Sequence, residues 1–390
     1  MGYRIKSASI NTARAIYALN WFDIAPGLTY IAKSLDLRIL DLGIMTTSFY
    51  AGLAAFQMVG GILASRYGPK IVAFIGLMIL GTAGIFSGLS FSIFELIIFR
   101  FIAGAGSALF FSPGLSLLRH ISPPESFGFQ VGIYNGAFNL GGGIGAFGWV
   151  FVDYAVGWRL SLVIGGFLAV IIAIENFVVL RDLKEPKVGT SGLGKRLSII
   201  LRNKYLWIIS IGTITVIFSE TIIGQFIIYF SENSLKLSPS DAGFIDGLFL
   251  IIGFVGGVIG GHIFSNTKHR LSYSYFILGV TGFMFMLIPF ARSFIFLAAV
   301  ITILGLVTVS GFSILYTIAA EIIEDKAMVS FSLSFVNFIQ LVIGSLSPFL
   351  FAFIAYNFNY TTAWIILGVI GLLMIPLLIT SRNYFRPVPI

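Results

Sequence analysis

The chain has 390 residues, 57% of them hydrophobic and only 10% charged, with a formal net charge of +8. Soluble domains carry about 25% charged residues, so one water-soluble globule is excluded. There is no cysteine, which removes disulfides, thiolate metal sites and cysteine nucleophiles from consideration.

Residues 71–94, 126–152, 293–320 and 327–381 contain no Asp, Glu, Lys or Arg. A helix crosses a bilayer with roughly 20 apolar residues, and these runs lack the alternation of barrel strands. The expected fold class is therefore an all-α membrane protein. Breaks at glycine, proline and charge clusters place twelve spans in chain order. They fall near 11–33, 41–65, 69–90, 93–119, 126–153 and 158–181, then 204–231, 240–264, 271–290, 293–320, 327–356 and 361–381. Basic residues ahead of the first span look like a signal peptide. Asp23 interrupts that run and eleven more spans follow, so the first helix is expected to stay uncleaved.

The hydrophilic stretch "RDLKEPKVGTSGLGKRLSIILRNK" lies between the sixth and seventh spans. It divides the chain into a six-helix bundle at 1–185, a linker at 186–203 and a second bundle at 204–390. With both termini and the even-numbered loops on one face, that face holds 18 Lys and Arg against five opposite. Positive loops stay cytoplasmic, so both termini are expected there. This placement also accounts for the basic charge without nucleic acid.

The punctuation is written twice. "GGILASRYGPK" at 60–70 returns as "GGHIFSNTKHR" at 260–270, each after the second span of a half. At an offset of 201, Gly104 falls over Gly305, Ser112 over Ser313, Asn139 over Gln340 and Gly143 over Gly344. The two halves read as copies of one unit. Parallel repeats of this kind are a transporter architecture with the substrate near mid-membrane.

On these features the chain resembles the major facilitator superfamily, over essentially its whole length. The family's loop after helix 2 reads roughly G-x-L-A-D-R-x-G-R-K, and Gly61, Arg66, Gly68 and Lys70 fit it. Its helix 4 pattern R-x-x-x-G-x-G is matched by Arg100, Gly104 and Gly106. Ser65 replaces the loop aspartate that, in the family, helps latch the cytoplasmic ends. Gly145 is followed by Ala146 rather than by the proline of drug antiporters. The resemblance implies a cavity lined by helices 1, 4, 7 and 10.

Ionisable groups inside a bilayer are costly and usually line a cavity. Asp23 in helix 1, with Asn20 three residues before it, reads either as a substrate or proton carboxylate or as a cap for backbone freed by Pro26. Arg100 in helix 4 could grip a substrate carboxylate or phosphate, or serve as the partner of Asp23. Glu220 in helix 7 is the first choice for proton coupling, since burial moves a carboxylate toward neutrality. Tyr316, Ser310 and Ser313 add polar groups on helix 10. Asn135 with Asn139, and Asn337 with Gln340, pair along helices 5 and 11 as substrate contacts or helix glue. Glu175, near the cytoplasmic end of helix 6, reads as structural; Asp246, near the outer start of helix 8, reads equally as a functional carboxylate or as a solvated helix end; His120 and His262 read as interfacial.

The expected function is a secondary transporter, not an enzyme, since no clustered catalytic groups occur. It needs no cofactor, because "GGGIGAFG" and "GFVGGVIGG" lack the lysine of a phosphate loop. The first reading is proton-coupled symport of a small organic anion by alternating access. Efflux of amphipathic or cationic compounds against protons, and uncoupled facilitation, stand beside it. The expected partners are a small-molecule substrate, protons and the lipid bilayer of the cell membrane, with the chain acting as a monomer.

Overall fold

The computed structural model describes residues 2–123, 127–183, 193–323 and 329–385. Helices dominate, and no strand occurs among the described residues. Among the described residues, ten helices are long and apolar enough to cross a membrane by length and composition. In chain order the helices are α1 (Tyr3–Leu19), α2 (Leu28–Leu35), α3 (Ile39–Tyr67), α4 (Pro69–Gly88), α5 (Ile93–Ile121), α6 (Phe127–Val156) and α7 (Trp158–Val179). They continue as α8 (Leu193–Arg202), α9 (Lys204–Gly212), α10 (Ile214–Asn233), α11 (Pro239–Asn266), α12 (Arg270–Leu287), α13 (Phe294–Glu321), α14 (Val329–Asn357) and α15 (Tyr360–Met374).

Two expected spans are interrupted. The first is not one helix over 11–33. α1 stops at Leu19, residues 20–27 are non-helical, and α2 begins at Leu28. Pro26 explains the gap, because its ring lacks an N–H and disfavours helix at the residue before it. The carbonyls freed at the end of α1 are satisfied locally. Asn20 Nδ2 donates to Ile16 O at 2.9 Å, and Trp149 Nε1 donates to Leu19 O at 3.0 Å. The span at 204–231 is likewise divided between Gly212 and Ile214 into α9 and α10. Of the proposed linker, 193–202 forms α8, while 186–192 lies outside the described residues.

The starts of α5, α11, α13 and α15 carry side-chain caps, which satisfy free N–H groups of the first turn. Ser92 Oγ accepts from Glu95 N, while Glu95 Oε2 accepts from Ser92 N. Ser238, Ser293 and Asn359 cap α11, α13 and α15 in the same way. Ser92 and Ser293 stand 201 apart, the offset read from the sequence repeat.

Other matched contacts repeat across the chain. Ser65 Oγ donates to Gly61 O at 3.1 Å and Ser265 Oγ to Gly261 O at 2.9 Å. Gly104 of α5 lies against the backbone of Phe49 in α3, and Gly305 of α13 against that of Phe249 in α11. A Cβ on Gly104 would also meet Leu53 N at 2.9 Å. Gly104→Val is therefore expected to cost about 1–3 kcal/mol through overpacking, read as a lower unfolding midpoint of the purified protein.

The two groups of helices meet along α3 against α14 and α6 against α11. Hydrogen bonds between them fall toward the face away from the termini. Thr29 Oγ1 donates to Glu232 Oε2, Asn233 Nδ2 to Thr29 Oγ1 at 3.0 Å, and Arg38 Nη1 to Tyr356 Oη at 2.8 Å. Phe349 N donates to Thr47 Oγ1 at 3.0 Å.

Candidate functional site

Residues 20–28 are all buried although residues 20–27 are not helical. Irregular backbone within membrane depth is tolerated where protein covers it or where it lines a cavity, because lipid offers no hydrogen bonds. Broken helices of this type build substrate and ion sites in transporters.

Asp23 projects from this break. Its Oδ1 accepts from Arg100 Nη1 at 2.9 Å, with the two side chains 1% and 2% exposed. Arg100 also stacks over Phe49, 4.9 Å from the ring centroid. Asp23 Oδ2 and Arg100 Nε have no hydrogen-bond partner. The pair fastens the broken helix to α5, so the partner reading of Arg100 is the one the geometry displays.

Trp21, also in the break, is a hub of rings. Its indole lies 5.4 Å from Tyr17, 5.4 Å from Phe49, 5.9 Å from Tyr50 and 5.3 Å from Phe138. Tyr50 crosses between the groups of helices, accepting from Gln225 Nε2 at 3.3 Å.

Glu220 lies on α10, partly exposed. Among the described residues it forms no hydrogen bond or ion pair, so neither Ser219 nor Thr221 holds it. Those two hydroxyls bond Thr308 Oγ1 and Ile217 O instead.

The remaining sequence candidates divide. Tyr316 Oη donates to Asn337 Oδ1 at 2.9 Å and stacks on Phe312. Asn139 is partly exposed and turns its amide back to Asn135 O at 3.3 Å. Asn20 is buried as the cap of α1. Gln340 donates to Ser210 O at 2.6 Å and to Thr213 Oγ1 at 3.0 Å, bridging the break between α9 and α10. Ser310 and Ser313 do not face a cavity; they donate to Gly256 O and Gly257 O and fasten α13 to α11. Glu175 accepts from Ser9 Oγ at 2.8 Å, tying α7 to α1.

In the loop after α3, Gly68 adopts φ 95°, the left-handed region that favours glycine. Arg66 lies 5.2 Å from the Tyr67 ring centroid, and Lys70 Nζ donates to Arg181 O at 3.3 Å. The second half has a stronger fastening at the corresponding place. Arg270 is 3% exposed and donates from Nη1 and Nη2 to the two oxygens of Glu321, at 2.8 Å each.

Three charged residues correct the sequence reading. Arg14, counted above with the basic loops, is 5% exposed within α1. Four ring centroids, of Tyr17, Phe111, Tyr134 and Phe138, lie 4.5–4.8 Å from its Cζ. Asp246 is not at a solvated helix end; it is fully buried with neither oxygen hydrogen-bonded. Asp153 of α6, not singled out before, is 3% exposed and equally unpartnered.

A membrane-embedded helical protein with repeated contacts in its two groups of helices and a buried ion pair at a broken helix has an architecture that transporters use. The sequence profile of the Major Facilitator Superfamily matches residues 10–346 and 209–389, so the chain belongs to that family. The chain is 25% identical over 249 residues to the quinolone resistance protein NorA of Staphylococcus aureus, across 62% of this chain and 60% of NorA. It is 28% identical over 144 residues to the probable sulfoacetate transporter SauU of Cupriavidus necator, across 37% of this chain and 34% of that protein. The matches thus span three fifths or less of these curated relatives. In fold it is similar to the crystal structure of a bacterial homolog to the human lysosomal transporter Spinster, in an inward-facing and unoccupied conformation. That likeness has a TM-score of 0.77 at 16% identity, covering 98% of this chain and 96% of that one. The chain is a multi-pass membrane protein of this family.

Proposed function

We propose that the chain moves a small organic anion together with a proton by alternating access. In this reading twelve spans form two six-helix bundles, at 1–185 and 204–390, joined by the 186–203 linker. The termini and basic loops face the cytoplasm, and a monomer does the work. Hydrogen bonds between the bundles gather on the opposite face, which corresponds to a state open toward the cytoplasm.

The observation that carries the coupling is Glu220. A carboxylate on an inner helix, partly exposed and held by no hydrogen bond, can exchange a proton with water in the cavity. Asp23 cannot do so without disturbing Arg100, so the Asp23–Arg100 pair acts as the positioning element beside it. Arg66, Lys70, Gly61, Gly68 and Ser65 shape the turn that moves with the cytoplasmic ends. Asn20, Asn139, Tyr316 and Gln340 complete the polar lining and its supports. The likeness to the probable sulfoacetate transporter SauU, sulfoacetate being an organic anion, agrees with this choice.

A second reading is efflux of amphipathic compounds against protons. The likeness to the resistance protein NorA and the density of rings around Trp21 favour it. The purified chain in liposomes distinguishes the two with ¹⁴C-labelled organic acids, sugars and cations under an imposed pH gradient. Symport predicts acid uptake that rises with an inward proton gradient, with protons moving in the same direction. Protons moving opposite to a labelled cation establish the efflux reading, and flux indifferent to the gradient establishes an uncoupled facilitator.

A further inference from the structure

We propose that Arg14 is the receptor for the anionic group of the substrate, and that the ligand is an organic monoanion with a flat apolar body. The inference deepens the anion reading above by naming its binding residue.

Arginine is a permanent cation inside proteins, and Arg14 is 5% exposed. A buried cation is ordinarily matched by a carboxylate. Among the described residues Arg14 has none within ion-pair distance, and its Nε and Nη1 have no hydrogen-bond acceptor. Four aromatic rings surround it instead, from α1 itself (Tyr17), α5 (Phe111) and α6 (Tyr134 and Phe138). Cation–π attraction offsets part of the burial cost. Ring faces, however, accept none of the guanidinium's in-plane hydrogen bonds in the way an oxygen anion does.

Arg100 lacks this vacancy, because Asp23 already neutralises it. Glu220 is partly exposed and makes no ion pair with Arg14 among the described residues. An anionic head would complete the hydrogen bonds of Arg14 that Nε and Nη1 leave unmade.

The surroundings also select the rest of the ligand. The Tyr17–Trp21–Phe138 cluster continues the cage toward the middle of the bundle, and Phe22 joins it 6.1 Å from Phe138. Inorganic phosphate or chloride would have to shed its water shell against ring carbons. A monoanion on a flat apolar body presents one polar end and stacks the remainder.

The test measures equilibrium binding of ¹⁴C-benzoate to the full chain in nanodiscs, with benzenesulfonate and neutral benzamide as competitors. Benzoate is expected to bind saturably, to be displaced by benzenesulfonate and to be untouched by benzamide. Arg14→Gln is expected to weaken binding by at least about 30-fold, as removal of one member of a buried hydrogen-bonded charge pair does. Arg14→Lys should retain a weaker affinity. Mapping the site of 4-azidobenzoate photolabelling on the wild-type chain needs no variant, and label is expected on peptides around Tyr17 and Tyr134. Undiminished affinity in Arg14→Gln, equal displacement by benzamide, absence of saturable benzoate binding, or label confined to other segments overturns the assignment. Failure of the transport reading is separate: it appears as gradient-independent flux in wild-type liposomes, whatever Arg14 binds.

Discussion

Asp23→Asn is expected to destabilise the folded protein by about 3–5 kcal/mol, and Arg100→Gln by a similar amount. Each single change leaves a charge or strong donor buried at 1–2% exposure without its partner. The double variant Asp23→Asn/Arg100→Gln removes both charges and should lose far less than the sum of the singles. The measurement is a double-mutant cycle on the thermal unfolding of the detergent-purified protein. Strict additivity would show that the 2.9 Å contact contributes nothing to the fold, and would return Arg100 to the substrate. A second expectation separates the roles further. If the pair positions the broken helix, the double variant should stay folded and yet transport slowly, because Trp21 and the residues around it lose their anchor to α5.

Much of this arrangement was readable from the chain. The charge-free runs marked the long helices, and the 200-residue echo of Gly61 and Ser65 anticipated the shared Ser65–Gly61 and Ser265–Gly261 hydrogen bonds. Hydropathy read the first span as continuous because Asn20 to Gly27 is mostly apolar. A break there depends on Pro26, on the Asn20 cap and on the distant donor Trp149, and only the first two are local signals. Arg14 escaped for a different reason. Counting cations by loop assigns each to water, and nothing near Arg14 in sequence announces Phe111, Tyr134 and Phe138, which arrive from two other helices. Its own next turn did contain one clue: Tyr17 stands three residues away, on the same helical face. Asp153 and Asp246 were misjudged or passed over because a position near the end of an expected span says little about what covers it.

Two buried acids without partners, and the half-buried Glu232 near them, bear on how the protein moves. Asp153 and Asp246 have no hydrogen bond on either carboxylate oxygen, and Glu232 is held only through Oε2 by Thr29. These groups flank the contacts that close the face away from the termini. Unsatisfied buried polar atoms cost roughly 1–3 kcal/mol each, so opening that face to water would relieve part of this cost. The contacts that close this face are thus opposed by the cost of these unsatisfied groups.

Glu220→Gln is expected to abolish anion accumulation driven by a proton gradient while preserving exchange of labelled for unlabelled anion. Glutamine has nearly the shape of the protonated acid and cannot release a proton. The loaded protein can still change sides, which is all that exchange requires. Net uptake additionally needs the empty protein to return after giving up its proton, and the substituted chain has none to give. Accumulation ratios should therefore fall to the level set by the anion's own gradient, and exchange should become insensitive to pH. Asp23→Asn/Arg100→Gln serves as the contrast, since it slows both exchange and net uptake without uncoupling them. Gradient-driven accumulation persisting in Glu220→Gln would remove the proton from this residue. Loss of exchange together with accumulation, in a chain whose unfolding midpoint is unchanged, would make Glu220 a substrate contact instead. The two outcomes differ because Glu220 is partly exposed and is bonded to none of the described residues. A group so placed can act on the anion through its charge, which glutamine deletes, or through its hydrogen bonds, which glutamine largely keeps.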